Sequence, residues 1–173
     1  MEKRIRQYVG LLSAVLAYYI LHEGAHLLYA LAIGAFRRIR FMGLGVQIDV
    51  YAERMSSTQL GFFCAVGAIA TMAAAYALTG SATRICRVPS KMFKACMYYI
   101  TMAMLLIDPL YLSVLCGFFG GGDMNGIAQL LPEWLARCLF GVILVIHGLL
   151  FWKVLLPKYQ KAFAGENENG AAP

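Results

Sequence analysis

Four long apolar stretches divide this 173-residue chain and restrict it to folds that cross a membrane. They cover approximately residues 8–33, 59–80, 95–119 and 135–156. A membrane-spanning helix needs about 20 mostly apolar residues, and each stretch reaches that length. Because lipid offers no hydrogen bonds to the backbone, such stretches fold as helices. The sequence therefore predicts an all-α membrane protein with about four transmembrane helices.

The composition agrees with a membrane protein and argues against other classes. Hydrophobic residues make up 61% of the chain and charged residues 14%, whereas a soluble domain carries about 25% charged residues. The net charge of +6 comes mostly from lysines and arginines that flank the apolar stretches, so it does not indicate nucleic-acid binding. We expect one membrane-embedded domain over residues 1–163 and a disordered, small and polar tail over 164–173. The sequence does not indicate an oligomeric state.

The segment between the first two spans has a different pattern. Val46, Ile48 and Val50 alternate with polar or aromatic residues, and this period of two is typical of a β-strand. Gly43 and Gly45 lie just before this alternation and favour a turn. We expect a short β-hairpin at the membrane interface, or else an extended loop. A strand there offers a free edge that can bind an extended substrate, with Val46 and Ile48 as contact residues.

The second half of the first span contains His22, Glu23 and His26, which match the pattern HExxH. On an α-helix, positions i and i+4 lie on one face, so both imidazoles can bind one metal ion. The glutamate beside the first histidine is placed to take a proton from water on that ion. Ionisable groups are costly inside a bilayer and are usually functional there. We therefore predict a Zn²⁺ hydrolase site, with His22 and His26 as ligands and Glu23 as the catalytic base.

A catalytic zinc usually has three protein ligands, so the third must come from elsewhere in the chain. Asp123 is the first candidate, because it lies in a glycine-rich segment, 120–126, where irregular backbone can bring a side chain inward. Asp108 is an alternative, and the Pro109 that follows it is expected to bend or break the third span. His147 is a weaker alternative, because a lone histidine on an apolar span more often bonds a neighbouring helix.

Together these features resemble the site-2 protease family of intramembrane zinc metalloproteases, over residues 8–130 approximately. The resemblance rests on HExxH in a span, the hairpin-like segment, the small-residue second span and the glycine-flanked Asp123. Residues 122–126, GDMNG, are closer to the glycine-aspartate variant of small bacterial branches than to the leucine-aspartate-glycine motif. The resemblance implies that the two histidines of HExxH and Asp123 bind one zinc ion, while the glutamate of HExxH activates water.

The resemblance also implies a substrate and a location. The substrate is a transmembrane protein or peptide, whose helix must unwind before its peptide bonds are hydrolysed. Where the family carries an asparagine near the substrate, this chain has Thr71. Thr71 is assigned a hydrogen bond to the substrate, and Asn125 is assigned to the same binding site. The expected location is a multi-pass position in a bacterial cytoplasmic membrane.

The orientation in the membrane stays open at this point. The flanking charges place both termini in the cytoplasm and the zinc site nearer the opposite face. The family resemblance implies instead that the site opens toward the cytoplasm, and this second orientation is slightly favoured.

Other functions fit parts of the pattern. A zinc-binding membrane scaffold or escort protein needs metal ligands but no catalytic base, so Glu23 argues against it. A metal transporter is disfavoured because the chain shows one metal site and no second acidic cluster. For His22 and His26, the alternative to metal binding is a pair of histidines that hydrogen-bond across helices.

Overall fold

The computed structural model describes residues 3–43, 45–118 and 122–169. Within these residues, four helical segments are long and apolar enough to cross a membrane, which confirms the predicted fold class. The fourth consists of two α-helices joined by a π-helical turn, Phe151–Leu155. In chain order the α-helices are α1 (Lys3–Ala32), α2 (Ser57–Cys86), α3 (Lys91–Ser113), the short α4 (Asp123–Ile127), α5 (Glu133–Leu150) and α6 (Leu156–Asn169).

The outer faces of α1 and α5 are apolar and exposed. Large side chains on these faces include Leu12, Ile20, Leu28, Val142 and Val145. Contiguous exposed apolar surface of this kind marks contact with lipid or with another protein. Polar side chains lie in the interior instead, where His22, His26, Thr71, Asp108 and His147 are buried. This inside-out arrangement is the one expected of a helical bundle in a bilayer.

The segment after α1 forms the predicted β-hairpin. Strand β1 (Phe36–Met42) pairs antiparallel with β2 (Gly45–Val50), with Ile39 opposite Ile48. Gly43 has a φ of +61° in the connecting turn, a conformation that glycine adopts without strain. Because Ile48 is buried in the same core cluster as residues of α1 and α2, the hairpin is held against the bundle.

Asp49 of β2 ties the two strands together. Its Oδ2 accepts a hydrogen bond from Arg38 Nε at 2.9 Å and another from Arg40 Nη2 at 2.7 Å. The Arg38 hydrogen bond, together with that of Arg40, holds the pKa of the Asp49 carboxyl below its usual range. The ion pairs are therefore complete at neutral pH and are lost only as the pH falls through this lowered pKa.

The sequence predicted a bend or a break at Pro109, and the break does not occur, because helix α3 continues through Pro109 to Ser113. A proline inside a helix removes the hydrogen bond to the carbonyl four residues earlier, which here belongs to Leu105. His147 of α5 supplies the missing donor: its Nδ1 lies 2.7 Å from Leu105 O. Because a carbonyl only accepts, the proton is on Nδ1, and Nε2 accepts from Tyr76 Oη at 2.6 Å.

The end of the chain differs from the prediction. Helix α6 runs to Asn169, into the segment 164–173 that was expected to be disordered. The helix there extends the fourth span, and adding a residue to an existing helix avoids the unfavourable nucleation step. Residues 170–173, and Gly120 and Gly121 of the glycine-rich segment, lie outside the described residues.

Candidate metal centre

Three metal-binding atoms converge inside the bundle, and they belong to the three residues predicted from the sequence. Nε2 of His22 lies 3.1 Å from Nε2 of His26 and 3.2 Å from Oδ2 of Asp123. Nε2 of His26 lies 3.6 Å from the same carboxylate oxygen. Among the described residues, these three side chains lie close enough together to hold one metal ion.

The spacing of these atoms fits a zinc ion. Zinc binds imidazole nitrogen and carboxylate oxygen at about 2.0–2.2 Å, so the edges of its tetrahedron are about 3.3–3.6 Å long. The three observed separations of 3.1, 3.2 and 3.6 Å are close to those edges. Two imidazoles and one carboxylate also form a known donor set for catalytic zinc, which keeps its fourth position for water or substrate.

Helix α2 comes close to the two histidines because it carries glycine at position 67. A Cβ atom on Gly67 would lie 2.6 Å from His26 Nε2 and 2.7 Å from His22 Nε2. Real Cβ atoms do not approach other heavy atoms so closely. The absence of a side chain at Gly67 therefore leaves the space in which the two metal-binding nitrogens lie.

A second close approach positions Asp123. This residue begins α4, which packs against α2 through Gly126. A Cβ on Gly126 would lie 2.2 Å from Cys64 Sγ and 3.2 Å from the carbonyl oxygen of Leu60. Gly126 thus lets α4 pack closely against the first part of α2 and brings Asp123 toward the two histidines, as predicted.

His26 is oriented by the backbone of α2. Its Nδ1 lies 2.7 Å from the carbonyl oxygen of Phe63, and both groups are buried. Because the carbonyl can only accept, Nδ1 carries the proton and Nε2 presents its lone pair to the centre. The hydrogen bond therefore holds His26 in the tautomer that a metal ligand requires.

His22 is held by a buried carboxylate. Its Nδ1 lies 3.2 Å from Oδ1 of Asp108, although this contact is not aligned as a hydrogen bond. Asp108 also accepts from Tyr18 Oη at 2.5 Å and from the hydroxyl of Thr71. The ring of Tyr18 stacks on that of His22 with centroids 5.2 Å apart. Asp108 thus touches the nitrogen of His22 that faces away from the centre, as second-sphere carboxylates commonly do.

Glu23 borders a small cavity beside the centre. The cavity has a volume of about 70 Å³, and its lining includes Glu23, His26, Asp123 and, from the hairpin, Gln47 and Ile48. A water molecule needs only about 10–15 Å³ of such volume, so the cavity has room for a water between the glutamate and the metal-binding atoms. The predicted base is thus next to the space that its water would occupy.

The residues predicted to bind substrate occupy different environments. Ile48 is buried and lines the 70 Å³ cavity, while Val46 is half-buried on the same strand and faces Phe41 across the hairpin. Asn125 is exposed on α4. Thr71 is fully buried with its hydroxyl against Asp108, so the structure places it behind His22 rather than at an open surface.

The two alternative ligands lie outside the metal-binding triangle. Asp108 contacts the far nitrogen of the His22 ring, and His147 is engaged by Leu105 and Tyr76. The sequence analysis did not identify Tyr18 as a site residue. Tyr18 lies one helical turn before His22 on α1, and this i, i+4 spacing was a usable signal.

Comparison of the chain with protein-family models, curated proteins and solved structures finds no match. The resemblance to the site-2 protease family therefore stays a prediction from the motifs.

Proposed function

We propose that this protein is a zinc-dependent intramembrane endopeptidase of the site-2 protease type, located in a bacterial cytoplasmic membrane. One observation carries the proposal: two imidazole nitrogens and a carboxylate oxygen meet within 3.1–3.6 Å of one another inside a bundle of helices that are long and apolar enough to cross a membrane. With the proton of His26 on Nδ1, its Nε2 offers a lone pair to this triangle beside the carboxylate of Asp123. A cation bound there would be stabilised by both groups.

The residues of the centre divide the chemistry between them. His22, His26 and Asp123 hold the ion, while Phe63 and Asp108 orient the two imidazoles. When bound, zinc polarises a peptide carbonyl and lowers the pKa of its water toward about 7. Glu23, at the edge of the 70 Å³ cavity, accepts the proton of the attacking water and then donates it to the leaving amine. The net reaction is hydrolysis of one peptide bond.

The hairpin supports a substrate in extended form. Strand β2 pairs with β1 on one side, and no other strand pairs with it among the described residues. Its residues Gln47 and Ile48 border the same cavity as Glu23. A substrate segment that adds to this edge is held extended next to the base, with its peptide bonds exposed. A transmembrane helix interrupted by Asn or Gly provides such a segment most readily.

The decisive experiment compares the wild type with Glu23→Gln, which keeps the size of the side chain but removes its basicity. Both proteins are purified, reconstituted with zinc and incubated with a panel of labelled single-span peptides that carry Asn-Gly within the apolar stretch. We expect cleavage by the wild type only, with equal zinc content in both proteins. Loss of one general base typically lowers the rate by 10²–10⁴-fold.

A matched control is Glu53→Gln, the same substitution at an exposed glutamate outside the cavity. It should retain cleavage. The membrane proteomes of cells that express the wild type or Glu23→Gln are also compared. If these proteomes are equal and no peptide is cleaved, the scaffold or escort alternative is favoured. Zinc flux into vesicles would favour a transporter.

A further inference from the structure

The hairpin lies directly against the predicted catalytic base. Ile48 of β2 is buried, and it borders the 70 Å³ cavity together with Glu23 and Gln47. Its side chain belongs to the core cluster that includes Ala30 of α1 and Phe63 of α2. This packing fixes the middle of β2 against the two helices that surround the metal-binding atoms. The backbone of Ile48 is therefore held in place beside Glu23.

The register of the hairpin shows which way the backbone of β2 faces. In an antiparallel pair, successive residues turn their N–H and C=O groups alternately toward the partner strand and away from it. The N–H of Tyr51, directly after β2, donates to the carbonyl oxygen of Ala35 at 2.9 Å. Counting back by two, the backbone groups of Asp49 and Gln47 face β1, and those of Ile48 face away from it. The irregularity in the register lies in β1 and leaves this count unchanged.

The N–H of Ile48 is thus on the free edge of β2, and its acceptor is the base. The carboxylate of Glu23 accepts a hydrogen bond from the backbone of Ile48. Two carboxylate oxygens offer about four acceptor sites, so this hydrogen bond leaves room for a second one from water in the cavity. The glutamate side chain is only partly buried on α1, and without a partner it would sample several rotamers.

We propose that the backbone N–H of Ile48 is a positioning group for the catalytic base: it holds the Glu23 carboxylate at the edge of the cavity, beside the metal-binding atoms. The proposal rests on the proposed protease function, in which Glu23 takes a proton from the attacking water. A hydrogen bond to a charged acceptor is short and strong, and a base that is already oriented lowers the entropic part of the reaction barrier. The hairpin then serves the chemical step as well as substrate binding.

This assignment also limits where a substrate can pair with the hairpin. Because Glu23 occupies the N–H of Ile48, an added strand finds the next outward-facing N–H and C=O groups at Val46, two residues away. At about 3.3 Å per residue, that distance is about 7 Å along the strand. A substrate that pairs with Val46 therefore passes beside Glu23 without displacing it.

The test removes one N–H group and leaves every side chain in place. By nonsense suppression, the α-hydroxy acid of isoleucine is introduced at position 48 of the full-length protein, so that an ester replaces the amide. The matched control carries the same α-hydroxy acid at position 39. Ile39 lies opposite Ile48 in the register, so its N–H also faces outward, but at the other edge of the hairpin. Zinc content and the cleavage kinetics of the labelled Asn-Gly peptides are measured for both proteins and the wild type.

We expect the ester at position 48 to lower kcat by about 10–100-fold, the range for one hydrogen bond to a charged group. KM and zinc content should stay the same, and the control should match the wild type throughout. An unchanged kcat at position 48 would overturn the proposal. So would an equal loss in the control, because the ester would then act by weakening the hairpin. A higher KM at constant kcat would mean that this N–H binds substrate instead of holding the base, and it would overturn the proposal too.

A second measurement does not depend on cleavage. In protein with isotopically labelled isoleucine, the amide proton resonance of Ile48 should move upfield in Glu23→Gln, because a neutral amide is a weaker acceptor than a carboxylate. The resonance of Ile39 should stay in place. If Ile48 does not respond, the hairpin does not hold Glu23 and the proposal fails, even where the wild type cleaves peptides. If Ile48 responds but the wild type cleaves no peptide, the proposed function fails, whereas the hydrogen bond between the hairpin and Glu23 stands.

Discussion

The candidate metal centre depends on single residues that are not among its three ligands. Gly67 leaves space for the two imidazoles, Phe63 orients one of them through its carbonyl, and Asp108 lies against the other. Each acts through the position or the tautomer of a ligand rather than through its own coordination. This dependence makes the geometry sensitive to changes as small as one methyl group.

Gly67→Ala should weaken metal binding while the helix itself is preserved. The added methyl would lie 2.6–2.7 Å from three imidazole atoms, so either the histidines or α2 must move. Overpacking of this kind costs about 1–3 kcal/mol, and if this cost falls on the metal-bound geometry the zinc affinity drops by about 5–150-fold. Zinc content after equilibrium dialysis is the measurement. Gly80→Ala in the same helix is the control, because its Cβ would meet nothing within 4 Å and binding should be unchanged.

Asp108→Asn should weaken zinc binding without abolishing it. The substitution keeps the shape of the side chain but removes the charge beside Nδ1 of His22. Loss of a carboxylate behind a metal-bound histidine typically lowers affinity 10–100-fold. Competition with a fluorescent zinc chelator gives the dissociation constant. Asp123→Asn removes a first ligand and should lose far more, so an equal loss in both variants contradicts the assigned positions.

Helices α3 and α5 meet at two residues that are usually unfavourable inside an apolar helix, a proline in α3 and a buried histidine in α5. Each compensates for the other, because His147 donates to the Leu105 carbonyl that Pro109 leaves without its helical partner. The contact explains why α3 continues past its proline and why His147 takes no part in the metal centre.

A double-mutant cycle tests this compensation. His147→Phe leaves the Leu105 carbonyl without its donor and should lower the free energy of unfolding by about 1–3 kcal/mol. In a Pro109→Ala background, the backbone N–H of residue 109 can donate a hydrogen bond to the Leu105 carbonyl. The loss of unfolding free energy caused by His147→Phe should then be smaller by about 0.5–3 kcal/mol. Denaturation in mixed micelles measures both values. Zinc content should stay constant in all variants, and its loss in His147→Phe would show that the histidine serves the centre.

The sequence predicted what depends on local pattern. Apolar length gave the four spans, alternation gave the hairpin, and the i, i+4 spacing gave His22 and His26 on one face. Asp123 was predicted from its glycine neighbours and a family resemblance, and the structure brings it to the histidines. For His147 the sequence indicated a bond to a neighbouring helix but not its partners, and the contact of Asp108 with His22 was not predictable, because both depend on which helix faces lie together. Contacts such as Leu105 with His147 join residues far apart in the chain.

At the level of the whole molecule, the metal centre links distant parts of the chain, since His22 and Asp123 are 101 positions apart. A metal that binds only the folded state stabilises it by about 2.7 kcal/mol when its concentration is 100 times the dissociation constant. For a chain of this size, that corresponds to a rise of roughly 5–10 °C in the unfolding temperature. Chelation should therefore lower the unfolding temperature of the wild type by this amount and leave that of His26→Ala unchanged.

The stabilisation should also be unevenly distributed, because the centre lies at one end of the bundle. Zinc bound at the candidate centre would join the second half of α1 to α4, whereas the beginning of α3 packs against Gly10 in the first half of α1. Local opening of a protein depends on the contacts of each region. On chelation, hydrogen exchange should therefore increase at residues 20–30 and 122–128 and stay constant at residues 91–99. A uniform increase along the chain would mean that the metal stabilises the bundle as one unit rather than joining these two segments.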